Sequence, residues 1–205
     1  MPPKYAKIVL GLVGGIGSGK SLVAAELARH GGYLIMADHL GHEALQQPEI
    51  QPKVIDRFGW EIMDEHGNVD RRKLGALVFK NRADLQSLEE LVFPHIEKRL
   101  LEEIILGQQK KDAKFVVLDA AIMMESGWSR VCDKLIFVDA PRDVRLERVA
   151  RQRGWTDKEV RERETMQIDV DVKKQRADFV IDNGQSLEAV PGQVLDVLRR
   201  LGLEN

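Results

Sequence analysis

One cysteine, Cys132, stands in a chain of 205 residues. That scarcity excludes an internal disulfide and a cysteine-built metal site, and it suits a reducing compartment, the cytoplasm. An excess of charge of either sign is lacking too. The 31 lysines and arginines nearly balance the 33 aspartates and glutamates, leaving a formal net charge of −2. Without a basic excess, nucleic acid is not an expected partner. No apolar run approaches the length of a bilayer, so no membrane association is expected. The first residues have no signal-peptide layout, and a strand pattern begins within a few residues. There is no internal repeat and no low-complexity tract. What remains is enough chain for one α/β domain with an insertion or a small lid, and a sizeable core. Small molecules are the expected partners, and the expected state is a monomer or a weak homo-oligomer.

What is present is organised around Gly14-Gly15-Ile16-Gly17-Ser18-Gly19-Lys20-Ser21. This run fits G-x-x-x-x-G-K-[ST], the phosphate-binding P-loop. An apolar run, Ile8-Val9-Leu10-Gly11-Leu12-Val13, precedes it and reads as a buried strand. Helix-forming sequence, Leu22-Val23-Ala24-Ala25-Glu26-Leu27-Ala28, follows it. Glycines lack a Cβ, so the backbone can curl and bring its N–H groups against phosphate oxygens. The loop leads into a helix N-terminus, where free N–H groups and partial positive charge favour an anion. Gly15, Gly17, Ser18, Gly19, Lys20, Ser21 and Leu22 are therefore expected to line a nucleotide. Lys20 is expected to reach the β- and γ-phosphates, and the Ser21 hydroxyl to ligate Mg²⁺.

Gly31-Gly32 supplies a stop after this helix, and residues 33–37 read as a second buried strand with Asp38 at its end. Ligands of open parallel sheets bind outside the carboxyl ends of the strands. Asp38 is thus placed near the phosphates or as the N-cap of the next helix. Val54, Ile55 and Phe58 form a small apolar face, and His66-Gly67-Asn68 reads as a turn. Asp70 can cap a helix whose Leu74, Leu77 and Val78 face inward. Leu85, Leu88, Val92, Ile96, Leu100 and Ile104 recur at helical steps, predicting a helix over about residues 83–106. Pro94 should kink or break it. His95, beside that break, reads as structural or solvated. Residues 44–106 contain no clear strand and read as a helical insertion that binds an acceptor.

Residues 115–119 are a third strand ending in Asp119. An apolar strand ending in aspartate after a P-loop has the layout of the carboxylate that helps hold Mg²⁺, although the same aspartate can simply start a turn. Met123 and Met124 read as core filler. Residues 134–139 are the fourth strand, and Ala140-Pro141 opens a helix carrying Arg142, Arg145, Arg148, Arg151 and Arg153. Three-residue steps drift by about 60° each, so this row wraps the helix. It reads either as a solvated face or as a lid whose cations clamp phosphates. Gly154-Trp155 ends the helix, and Thr156 or Asp157 can cap the next one. Residues 179–182 are the fifth strand, with a turn at Asn183-Gly184 on the ligand side. Leu187, Val190, Val194, Leu198 and Leu201 outline a last helix that can begin at Pro191. Five strands interleaved with helices predict a doubly wound parallel sheet.

Together these residues resemble the dephospho-coenzyme A kinase family over nearly the whole chain. The resemblance rests on Gly14 to Ser21, Ala37-Asp38, Phe58-Gly59, Asp70-Arg71-Arg72-Lys73-Leu74, Val78-Phe79 and Ala177-Asp178-Phe179-Val180-Ile181-Asp182-Asn183, in that order. It implies an α/β P-loop kinase-type fold: a doubly wound five-stranded parallel sheet, a helical acceptor-binding insertion and a small lid. The nucleotide-binding core would be residues 1–43 and 107–205, the lid about 142–176, and the insertion 44–106. It implies transfer of the γ-phosphoryl of ATP to the ribose 3′-hydroxyl of dephospho-coenzyme A, with Mg²⁺. Asp38 would orient that hydroxyl and accept its proton, beside Lys20 and Arg148 as catalytic cations. Asn183 and Gly184 would lie near adenine. His42, Arg71, Leu74 and Phe79 would serve the acceptor, and Ser21 with Asp119 the metal. The chain departs from the family pattern at Met36, His42, Phe93, Ala121, Leu22 and Gln152-Arg153. Several of these are on the acceptor side, which leaves open a P-loop kinase with another acceptor, or a relative that binds ATP without turnover.

Overall fold

The computed structural model describes residues 5–184 and 188–204. In chain order the elements are β1 (Val9–Gly14), α1 (Lys20–Arg29), β2 (Gly32–Met36), α2 (Ala37–Leu45), α3 (Gln51–Phe58), α4 (Arg71–Val78) and α5 (Arg82–Gln109). There follow β3 (Phe115–Asp119), β4 (Lys134–Asp139), α6 (Arg142–Arg153), α7 (Asp157–Glu164), α8 (Val170–Gln175), β5 (Phe179–Asp182) and α9 (Ala189–Arg200). The strands form one parallel sheet in the order β2-β3-β1-β4-β5. From β1 the chain crosses to the edge strand β2, returns inward to β3 beside β1, and then passes to β4 and β5 on the other side of β1. β1 is therefore the switch point, and the crevice at its carboxyl end is where such sheets take ligands.

Alternation along the strands decides which residues meet which helices. Leu10, Leu12, Phe115, Val117, Ile136, Val138 and Ile181 share one face and pack with Val23 and Leu27 of α1 and Val190, Val194 and Leu198 of α9. On the other face α8 contacts β1, and Gly107 near the end of α5 lies against Tyr33 and Val116. With both faces covered, every residue of β1 is buried, which is why its sequence is a continuous apolar run rather than an alternating one. Each such large side chain contributes about 1.5–3 kcal/mol through burial.

The chain divides into two compact units, Met1–Met36 with Glu102–Asn205, and Ala37–Leu101. The division falls outside the expected 44–106 at one end and inside it at the other, because α2 packs on α3 and the boundary cuts through α5. The second unit is helical, with one isolated bridge, Met63 to Val69, among its described residues. Asp70 caps α4 through hydrogen bonds from the Arg72 and Lys73 amides, and Leu74 and Val78 are buried. Val54 and Phe58 supply the apolar face of α3.

Four local expectations are corrected. Pro94 neither breaks α5 nor ends it: the helix is continuous over 28 residues. Pro94 is exposed, and so is Glu90, whose carbonyl loses its helical partner and can be hydrated instead. Asp38 is not an N-cap; it is the second residue of α2, within its first turn. Of the Gly31-Gly32 stop, Gly31 (φ 96°) does follow the C-cap of α1, but Gly32 is the first residue of β2, and Ala37 already belongs to the helix. α9 begins at Ala189, with Pro191 in its first turn, where a missing N–H has no helical partner to lose. Leu187, expected on that helix, lies outside the described residues.

Candidate active site

The carboxyl ends of β1, β3, β4 and β5 bring together Gly14, Asp119, Asp139 and Asp182 in the sheet unit. The loop from Gly14 enters α1 through two left-handed glycines, Gly17 with φ 78° and Gly19 with φ 89°. Both are also closely approached. A Cβ on Gly17 would lie 2.5 Å from the Arg145 carbonyl oxygen, and one on Gly19 would collide with the Asn183 amide. Glycine is required at both for backbone conformation and for space.

The loop carbonyls are held from outside. Asn183 Nδ2 donates to the Ser18 carbonyl at 2.8 Å, and Arg148 Nη1 approaches the same oxygen at 3.5 Å. Arg148 Nη2 donates to the Asn183 carbonyl at 2.8 Å. Arg145 Nη1 donates to the Ile16 carbonyl at 3.0 Å. A trans peptide points its N–H opposite to its C=O. Turning the Ile16 and Ser18 carbonyls outward therefore aims the Gly17 and Gly19 N–H groups inward, as an anion-binding nest needs. Ser18 Oγ and Asn183 Oδ1 are buried without hydrogen-bond partners among the described residues. Such atoms are rare in native interiors and mark places where a polar ligand group fits.

Lys20 is the first residue of α1, and its ammonium donates back to the Gly14 carbonyl at 3.4 Å. Ser21 is exposed, and its Oγ donates to Asp119 Oδ2 at 3.3 Å. The two residues expected to hold Mg²⁺ are thus in contact. Among the described residues no three His, Cys, Asp or Glu side chains cluster as a self-contained metal site. Leu22 is exposed on the next position of α1. Gly184 donates its N–H to Asp182 Oδ1 at 2.7 Å, closing the turn after β5. A cavity of about 60 Å³ beside the loop is lined by Gly15, Asp139, Arg145 and Lys174 among others. Lys174 pairs with Asp139, and that hydrogen bond holds its ammonium above the usual lysine range.

The row of arginines on α6 resolves into different roles. Arg151 and Arg153 are exposed, while Arg145 is buried. Arg142 pairs with Asp157 at 2.8 Å, a bond that raises its already high pKa. Thr156 caps α7 in a reciprocal box with Glu159. Trp155, between the helices, has Arg163 3.9 Å and Arg153 4.9 Å from its ring centre. Burial lowers the pKa of Arg163. Lys173 is buried and pairs with Glu125 at 2.7 Å, tying α8 to the segment after β3.

In the sequence Arg145 is one member of an arginine row that reads as a solvated face or a phosphate clamp, with Arg148 singled out by the resemblance, whereas in the structure Arg145 is the buried one and holds a loop carbonyl. Position carried a usable signal for Arg145, which lies four residues before the buried Val149 and so on the inward stripe of α6.

In the helical unit, Asp38 and His42 are exposed on α2, and His42 Nε2 lies 3.2 Å from Gln46 Nε2. Arg71 is the exposed first residue of α4, and Phe79 is its half-buried C-cap. Leu74 is 2% exposed, a packing position in this unit. His95 is structural here: it and Arg99 converge on Glu43 Oε1, at 3.4 and 2.9 Å.

The chain matches the Dephospho-CoA kinase family over residues 8–189. It belongs to the dephospho-CoA kinase family. The dephospho-CoA kinase of Bacillus licheniformis is 38% identical, over 93% of this chain and 95% of that one. The Aquifex aeolicus dephospho-CoA kinase is 37% identical, over 94% and 96%. Among solved structures, TT1252 from Thermus thermophilus superposes with a TM-score of 0.80 at 31% identity, covering 97% of this chain and 98% of that one. Dephospho-CoA kinase from Campylobacter jejuni gives 0.67 at 25% identity, covering 94% and 96%. A shikimate kinase from Acinetobacter baumannii, at 16% identity and a TM-score of 0.52, shares the fold alone. As in a dephospho-CoA kinase-type fold, the five-stranded parallel sheet carries a helical insertion after its second strand.

Proposed function

We propose that this chain transfers the γ-phosphoryl group of ATP to the ribose 3′-hydroxyl of dephospho-coenzyme A, giving coenzyme A and ADP. The observation that carries the reading is the phosphate loop with Ser21 Oγ 3.3 Å from Asp119 Oδ2, in a chain of this family. Lys20 binds the β- and γ-phosphate oxygens, and the N–H groups of Gly15, Gly17 and Gly19 line the polyphosphate. Arg148 neutralises charge that spreads over the transferring group. Asn183 Oδ1, a buried acceptor without a partner among the described residues, suits an amino donor such as that of adenine, with Gly184 beside it. Asp38 accepts the proton of the 3′-hydroxyl as its oxygen bonds to the γ-phosphorus and the bond to ADP breaks. His42, Arg71 and Phe79 serve the acceptor, and Leu74 supports them from the core of their unit.

Ser21 and Asp119 fit Mg²⁺, a hard cation that commonly takes one or two protein oxygens and completes its shell with phosphates and water. When bound, that ion neutralises charge on the β- and γ-phosphates. In this reading the partners are small molecules, and the enzyme works in the cytoplasm.

The experiment is incubation of the pure protein with ATP and Mg²⁺, with and without dephospho-coenzyme A, with product identification by mass. Acceptor-dependent coenzyme A is the expected product. ATP binding without phosphorylation of that acceptor refutes the reading and favours another acceptor or a non-catalytic relative. Asp38→Asn is expected to lower turnover far more than ATP affinity; equal loss of both sinks the proton-acceptor role.

A further inference from the structure

Arg145 is 7% exposed, and its guanidinium lies against the phosphate loop. Nη1 donates to the Ile16 carbonyl at 3.0 Å and to Glu164 Oε1 at 2.8 Å, and Nε donates to the Ala140 carbonyl at 3.3 Å. The contact extends along the loop. A Cβ on Gly15 would lie 2.9 Å from Arg145 Nη1, and the Arg145 carbonyl oxygen packs on Gly17. Glu164 is the last residue of α7, and its second oxygen is 3.5 Å from Arg142 Nη2. One guanidinium thus connects the Ile16-Gly17 peptide to the end of α7.

A buried ion pair is weak support for stability in itself, because desolvation offsets much of the attraction. What this one does is directional. With the Ile16 carbonyl held by Arg145, the Gly17 N–H must point the other way, into the loop. Without that donor, the peptide can rotate and withdraw an N–H from the phosphates.

We propose that Arg145 is a positioning residue for the polyphosphate, fixing the Ile16-Gly17 peptide so that the Gly17 N–H faces the anion, and that its pairing with Glu164 makes nucleotide affinity depend on α7. The inference rests on the reading that the loop binds ATP, but not on the identity of the acceptor. Arg145 touches no reacting atom; it acts through the loop backbone.

The test is calorimetric titration of the full chain with ATP and Mg²⁺, without acceptor, for wild type, Arg145→Gln, Glu164→Gln and the double variant. Unfolding of each ligand-free protein in urea is followed in parallel. Arg145→Gln removes a hydrogen bond from a charged donor, so the Kd for ATP is expected to rise about tenfold or more. Glu164→Gln is expected to raise it about threefold, and the double variant to be no weaker than Arg145→Gln alone, as coupled residues behave. A Kd for Arg145→Gln within about twofold of wild type overturns the proposal, whatever happens to the urea midpoint, since a purely structural arginine shifts the midpoint alone. Independent, additive effects overturn the link to α7. Should Arg145→Gln fail to fold, Glu164→Gln decides, its side chain being 25% exposed: an unchanged Kd refutes the coupling. A wild-type protein that takes up no ATP removes both this inference and the reading beneath it, and is told apart by the wild-type titration itself.

Discussion

Replacing Asn183 by aspartate changes almost nothing in size and removes one hydrogen bond. Asn183 is 2% exposed, and its Nδ2 donates at 2.8 Å to the Ser18 carbonyl that precedes Gly19. An aspartate there sets a carboxylate oxygen against that carbonyl oxygen. The donor is lost and a repulsion takes its place. Arg148 lies 3.5 Å from the Ser18 oxygen and offsets part of the new charge, but it already donates to the Asn183 carbonyl. Leaving a buried acceptor unsatisfied costs about 1–3 kcal/mol. If that cost is borne by the nucleotide-binding geometry of the loop, ATP affinity falls by a factor of about 5–150. Asn183→Ala loses the same bond without adding charge and belongs near the lower end. Calorimetric titration with ATP and Mg²⁺ measures the effect, with urea unfolding as the control for global stability. An Asn183→Asp variant that binds ATP within about twofold of the wild-type protein would refute the account of how the loop is oriented.

Lys20→Ala is expected to cut turnover by about a hundredfold or more, as loss of a preorganised cation does, with the fold intact by circular dichroism; near-normal turnover contradicts its phosphate role. Pro94→Ala should stabilise the chain by about 1–3 kcal/mol in urea unfolding, because α5 already runs through an exposed proline that costs a helix interior about 3 kcal/mol; destabilisation would mean the proline shapes the packing. Asp64 accepts backbone N–H bonds from Asn68 and His66, the Asn68 bond being the larger cause that holds its carboxyl below the ordinary 3.8. Its folded pKa is depressed, so its stabilising contribution is present above the unfolded value and is lost as pH falls through the folded one. Asp64→Asn keeps the acceptor and should flatten the acid limb of the unfolding midpoint between about pH 2 and pH 6; an unchanged limb rejects the assignment.

Much of this molecule is decided within short stretches of sequence. The third, fourth and fifth strands lie where their apolar runs place them, each ending at the aspartate that closes the run. Asp70 and Thr156 cap their helices because a side-chain oxygen needs only amides two or three residues ahead. The glycine loop after β1 is local for the same reason: its glycines and Lys20 are contiguous, and the following helix begins at Lys20 itself.

Tertiary structure decided what local pattern left open. Pro94 is tolerated because its neighbourhood on α5 faces solvent, which a local breaker rule does not weigh. Of five arginines on α6, which one is buried depends on Glu164 and the Ile16 carbonyl, groups 19 and 129 residues away. Asn183 reaches Ser18 across 165 residues. Helical and strand periods come from backbone geometry and repeat within a few residues, so a sequence displays them directly. The direction of a loop carbonyl depends on a donor that folding brings from elsewhere in the chain, and its partner becomes visible only when the sheet has closed around it.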